Sequence, residues 1–94
     1  KVDYAVIGCS SLDEDGTILD FDAQEVSVAR AILRNSRKTI LVADQSKFLV
    51  TAPVRIADIS DIDYMVTDTP PPARFRDAAI RGQTEIIVTQ DLKN

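Results

Sequence analysis

Three short polar clusters in this 94-residue sequence each follow directly on an apolar run. Gly8-Cys9-Ser10-Ser11 closes the run Val2–Ile7, Asp44-Gln45-Ser46-Lys47 closes Ile40–Ala43, and Thr67-Asp68-Thr69 closes Tyr64–Val66. The second sets an acid, an amide, a hydroxyl and an amine in consecutive positions. Every strand must leave the core through a polar loop, so one such cluster alone means little. Three of them, with a lone lysine directly after a strand, mark a rim that can bind a ligand. The chain has no histidine, which excludes Ser-His or Cys-His catalysis and His-ligated zinc within it. Its single cysteine, Cys9, excludes an internal disulfide and fits a reducing compartment. Cys9 reads as a small packed filler rather than a reactive thiol.

Composition narrows the classes further. The length allows one small domain, and a net charge of −4 with scattered arginines argues against a nucleic-acid surface on this segment. No run is apolar and long enough to span a bilayer, so no membrane role and a cytoplasmic location are expected.

The elements that must hold the clusters follow from periodicity. Val2–Gly8 reads as a buried strand opening into a long loop that ends at Asp22. Asp22 and Glu25 have capping-box spacing, and Val26, Ala29, Ile32 and Leu33 recur at helical spacing, so a helix is predicted over 23–35. Arg30 and Arg34 on it read as a solvated face. Lys38–Ala43 is the next strand, which makes a βαβ unit with parallel pairing. Short strands follow at Val54–Ile56 and Tyr64–Thr67. A second helix starts in the run Thr69-Pro70-Pro71-Pro72 and ends at Gly82, and Glu85–Val88 is the last strand. The predicted class is α/β, an open, mostly parallel sheet with flanking helices. In such sheets ligands sit outside the carboxyl ends of the strands, where all three clusters fall. Two helices are too few to cover both faces of such a sheet, so one face should pack on another segment or subunit.

Ser11–Asp22 partly matches a calcium loop, with Asp13, Asp15 and Gly16 in place. Ser11 stands where the first ligand should be Asp, Asp22 where the last should be Glu, and a strand enters where a helix is needed. A tight turn closed by Gly16 at positive φ explains the same residues, and no metal is expected.

The order of these segments resembles a known family. Ile7-Gly8 after the first strand, Asp15-Gly16 in the loop, Phe21-Asp22 before the helix, Arg30-Ala31-Ile32 on it, Asp44-x-Ser46-Lys47-Phe48 and "TDTPPP" at Thr67–Pro72 are in register with the C-terminal sensor domain of DeoR-type bacterial transcription regulators. The resemblance implies a sensor fold similar to ribose-5-phosphate isomerase and CoA transferases. Residues 1–94 would form its second half. The first half, with a phosphate-holding Gly-Thr-Thr loop, and an N-terminal winged helix-turn-helix for operator DNA would lie outside this segment. It further implies a homo-oligomer that responds to a phosphorylated metabolite, with glycerol 3-phosphate the first to test, and needs no cofactor. Gly8, Cys9 and Ser10 take the place of the family's Gly-x-Ser turn, where Gly8 would admit close backbone approach and Ser10 would bond a ligand hydroxyl. Asp44, Ser46 and Lys47 take its Asp-x-Ser-Lys motif, where Lys47 would meet an anion and Asp44 would orient it by charge pairing. The sequence departs from the pattern at Ser11 and Leu49, both usually Gly, and at Ala29, often Lys.

Two rival readings fail on named positions. Ribose-phosphate isomerases carry Asp-Gly-Ala-Asp after the matching strand and a Glu on the helix; here those places hold Ile7-Gly8-Cys9-Ser10 and Ala29, without the groups that move protons. A phosphoacceptor receiver needs an acidic pair after its first strand, which Cys9-Ser10-Ser11 does not supply. A dimerisation module without ligand is compatible with the same fold. Binding without turnover is the expected role.

Overall fold

The structure, a computed structural model, describes residues 1–92. Four strands form one parallel sheet: β1 (Val2–Ile7), β4 (Ser36–Val42), β6 (Tyr64–Thr67) and β7 (Glu85–Val88), side by side in that order. A smaller antiparallel sheet holds β2 (Ser11–Leu12), β3 (Thr17–Asp20) and β5 (Val54–Asp58). Two helices, α1 (Ala23–Arg34) and α2 (Ala73–Arg81), complete the α/β fold. Short 3-10 turns follow β4 (Gln45–Phe48), β5 (Ile59–Asp61) and β7 (Thr89–Leu92). No described helix is long and apolar enough to cross a membrane.

The parallel strands run across the sheet in sequence order. Crossovers between parallel strands are right-handed, so a chain that steps always in one direction lays every connection on the same face. The core confirms this. Ile7 of β1, Leu41 of β4 and Met65 of β6 face Val26 and Ala29 of α1 and Phe75, Ala78 and Ala79 of α2 in a single apolar cluster. Ile18, Ile56, Ala57 and Ile59 join it from the small sheet and the turn after it.

Two predicted elements are corrected. The segment from Gly8 to Asp22, read as a loop, contains the β2–β3 hairpin, paired Ser11 to Leu19 and Leu12 to Ile18. Val54–Ile56 is a strand but lies in the antiparallel sheet, where β5 pairs with β3 across a bulge at Ile18/Leu19. The two small elements hold each other: alone, neither a two-residue β2 nor a four-residue β3 has enough apolar alternation to be seen. Ser11 Oγ, fully buried, adds a bond to the Val50 carbonyl just ahead of β5.

The hairpin turn uses the acids that resemble a calcium loop. Asp15 Oδ1 accepts from the Thr17 N–H at 2.9 Å and the Thr17 hydroxyl at 2.7 Å, while the Asp13 carbonyl accepts the Gly16 N–H at 3.0 Å. Gly16 has φ +103°, and a Cβ there would sit 2.8 Å from Ile59 Cγ2. Its carbonyl accepts the Ile59 N–H at 2.7 Å. Both its backbone angle and its crowding demand glycine.

Helix ends differ in detail from expectation. Asp22 caps α1 by accepting the Gln24 N–H at 2.8 Å. The capping box is not completed by Glu25, because the Asp22 N–H reaches back to Asp20 Oδ1 at 3.4 Å. Arg30 is exposed, as expected, and in addition its Nε donates to the Ile56 carbonyl at 3.1 Å, tying α1 to β5. α2 begins at Ala73, with Pro72 as the cap residue and the prolines outside the helix. Gly82 is the C-cap at φ −82°, and the left-handed residue after it is Gln83 at φ 62°. Gly82 is required for another reason: a Cβ there would lie 2.8 Å from the Ser60 Cα.

Candidate functional site

The parallel registers fix where the polar clusters emerge. Ile7 pairs with Leu41, Leu41 with Met65, and Val42 with Val66, so β1, β4 and β6 end level with one another. Gly8, Asp44 and Asp68 therefore leave the sheet at one edge, as the alternation of apolar run and polar cluster implies. Thr89 follows β7 at the same edge.

Two of the concavities along this rim hold residues singled out from the sequence. The first, about 290 Å³, is lined by Val42, Ala43, Asp44, Lys47, Val66, Thr67, Asp68 and Thr89. Its walls are stitched together. Asp68 Oδ1 accepts the Gln45 N–H at 3.0 Å and the Thr69 N–H at 2.9 Å, and the Thr69 hydroxyl donates to Gln45 Oε1 at 3.2 Å. Asp44 caps the 3-10 turn by accepting the Ser46 N–H at 2.9 Å and the Ser46 hydroxyl. These two bonds, the hydroxyl first, hold the Asp44 carboxyl below its ordinary value. The expected Asp44–Lys47 ion pair is not among the ion pairs of the described residues; the acid orients the turn, and the turn carries the lysine. Phe48 fixes the turn from below, its ring edge-on to Phe75 of α2 with centroids 4.9 Å apart. Lys47 is half-buried and is the one cation lining this concavity. An incoming anion meets its ammonium between two exposed carboxylates, each with its Oδ1 engaged by backbone N–H groups.

The second concavity, about 400 Å³, lies at the β1 end and is lined by Gly8, Cys9, Ser10, Asp20, Glu25 and the flank of α1. Its charged groups are acids only. Glu25 has its carboxyl raised, chiefly by the neighbouring Asp20. That pocket suits hydroxyl groups and repels a phosphate. Cys9 is half-buried in the wall of this second concavity, and its thiol is pushed up to about 11, mainly by burial, with Lys47 opposing and Asp20 and Asp44 reinforcing the shift. It is a neutral packing group at ordinary pH. Gly8 is exposed, and a Cβ on it would meet no atom within 4 Å. Nothing among the described residues requires glycine there.

Of the six residues singled out from the sequence, Gly8, Cys9 and Ser10 gather at one concavity and Asp44 and Lys47 at the other. Ser46 lines neither and serves Asp44. Asp20, Glu25 and Thr89 were missed. Asp20 and Glu25 are displaced from Gly8 in sequence and reach it only through the β2–β3 hairpin, for which the sequence carries little signal.

Fold and rim together define a class: a parallel α/β domain that offers a ligand the carboxyl ends of its strands. Comparison with known proteins makes the class specific. The family model of the DeoR C-terminal sensor domain matches residues 1–69, and this chain belongs to that family. Among its relatives is the glycerol-3-phosphate regulon repressor of Haemophilus influenzae, 46% identical over 71 residues, covering 76% of this chain and 28% of the repressor. The repressor of the same name from Escherichia coli is 46% identical over 72 residues, covering 77% and 29%. The HTH-type transcriptional repressor CsqR of Escherichia coli is 31% identical over 91 residues, covering 97% and 35%. These relatives are transcriptional repressors, and the domain is a sensing one rather than a catalytic one. The chain spans about a third or less of the length of each.

Proposed function

We propose that this segment is the effector-binding part of a DeoR-type transcriptional repressor, in which a phosphorylated metabolite binds the strand rim and loosens the hold on operator DNA. Residues 1–94 form the second part of the sensor; the winged helix-turn-helix that reads DNA and the first part of the sensor lie elsewhere in the polypeptide. The protein works in the cytoplasm as a homo-oligomer. Glycerol 3-phosphate is the first effector to test, because two relatives are named for its regulon.

The observation that carries this reading is Lys47, the one cation on a cleft whose two carboxylates each have one oxygen held by backbone donors. The metabolite's phosphate meets Lys47, and its hydroxyls extend toward Ser10, Asp20 and Glu25 at the acidic concavity. Such a ligand acts on DNA affinity only by binding one arrangement of the repressor more tightly than the other.

The test is a thermal-shift screen of the full-length protein against glycerol 3-phosphate and a panel of sugar phosphates, paired with operator binding. An effector should raise the melting temperature and weaken operator binding at the same concentrations. Lys47→Ala removes a charge-assisted bond of roughly 1.5–3 kcal/mol, so the apparent affinity should fall about 10- to 100-fold. No response to any phosphate in the wild type would overturn the reading. A response unchanged in Lys47→Ala would remove Lys47 from the site.

A further inference from the structure

A groove of about 310 Å³ lies between the last turns of α1 and the middle of β5. Three arginines line it: Arg30 and Arg34, neighbours one turn apart on the helix, and Arg55 from the strand. Leu33, Ile56 and Ala57 give it an apolar floor, the last two buried. One acid, Asp61, completes the wall, and its Oδ2 accepts the Asp58 N–H at 3.0 Å to cap the turn after β5. Asp61 does not neutralise the arginines. The ion pairs of the described residues are Arg37–Asp3 and Lys38–Asp63, and none of the three takes part. In a chain of net charge −4, three guanidiniums thus share one groove with a single carboxylate.

Arg30 is positioned in advance. Its Nε donates to the Ile56 carbonyl and its Nη2 to the Arg55 carbonyl at 2.5 Å, while Nη1 donates to no described residue. A guanidinium already fixed loses less freedom when it takes up a ligand. Its planar fork matches the paired oxygens of a phosphate or a carboxylate. The groove is also distinct from the rim. It shares only Ile56 with the acidic concavity, and at 1.5 Å per residue Arg34 lies ~13 Å along α1 from Glu25. Lys47 has no part in its walls.

We propose that this groove is a second anion site, which takes a small molecule with two or more anionic oxygens on the guanidiniums of Arg30, Arg34 and Arg55. The apolar floor keeps water from one side of the ion pairs and so strengthens them. The volume suits a compact ligand. Phosphates and carboxylates share the chemistry required. The site stands whatever the effector at the rim turns out to be, because it uses none of the rim's residues.

The experiment is phenylglyoxal labelling of the full-length repressor, read arginine by arginine by peptide mass spectrometry. Chloride, pyrophosphate and citrate are compared at matched ionic strength. Pyrophosphate or citrate should slow labelling of Arg34 and Arg55 several-fold, while the exposed Arg76 and Arg81 of α2 label as in chloride. Protection by either ion supports the site, and the one effective at lower concentration tells phosphate from carboxylate recognition. The double variant Arg34→Gln/Arg55→Gln should weaken binding of that ion about tenfold in calorimetry. The protection should persist in Lys47→Ala, which separates this groove from the effector cleft. Protection lost in Lys47→Ala, or an affinity unchanged in the double variant, would overturn the proposal. Equal slowing at all four arginines would mean an adventitious ion only, and no slowing at any would mean no site. Arg34 and Arg55 unreactive already in chloride would show the groove covered by other parts of the protein, and would overturn it too.

Discussion

At the scale of single residues, the rim separates groups that face a concavity from groups that only hold others in place. Asp44 reads in sequence as a partner for Lys47, yet its carboxyl faces Ser46. Types and spacing reveal that an acid, a hydroxyl and an amine share a turn; which pairs with which depends on a 3-10 geometry that the letters do not encode. Cys9 is the reverse case, a residue whose bland reading holds. Its thiol, raised to about 11, keeps the neutral form in the folded state. A raised thiol leaves stability intact below its unfolded value of about 8.5 and erodes it as the pH climbs toward the folded value. Iodoacetamide should therefore label Cys9 slowly around pH 8, with a rate that rises only as the pH approaches the folded value. Rapid labelling at neutral pH would show an activated thiolate instead. Gly8 makes a sharper test, since a methyl group there touches nothing in this segment. Gly8→Ala should leave the melting temperature unchanged while weakening the effector's stabilising shift. An equal response in both proteins would mean that the ligand keeps clear of this backbone.

At the scale of elements, β1, β4, β6, β7 and α1 are legible because each carries an apolar period long enough to stand out. The β2–β3 hairpin is not, because its strands are short and its acidic turn imitates a metal loop. β5 is legible as a strand but not as a member of the antiparallel sheet, since nothing in Val54-Arg55-Ile56 names its partner. The same limit hides the acidic concavity, which exists only once the hairpin folds Asp20 back toward Gly8. Gly16 is the element-scale residue on which that folding turns. Its positive φ and the 2.8 Å approach of Ile59 both penalise a side chain. Gly16→Ala should cost about 2–4 kcal/mol, combining left-handed strain with overpacking, and urea unfolding of the full-length protein measures it. A loss below about 0.5 kcal/mol, the range of ordinary surface changes, would mean the turn relaxes freely.

At the scale of the whole molecule, the strands advance in sequence order and everything that connects them lies on one side. This asymmetry explains both the single apolar cluster and the opposite face of the sheet, left without a helix. It also explains why the small sheet matters. The hairpin branches from the β1 end of the rim and β5 from the chain that follows Lys47, and the two branches are bonded to each other through β3–β5 and through Ser11 to the Val50 carbonyl. Ser11→Ala should lower stability by about 1 kcal/mol. It should also speed amide exchange at residues 8–12 and 47–52 together, as hydrogen-exchange mass spectrometry would report. Faster exchange in one stretch alone would show that they open separately. The strap formed by β3 and β5 joins the lysine turn and the glycine turn like two ends of one lever, so a substitution that loosens one corner of the rim should be felt at the other.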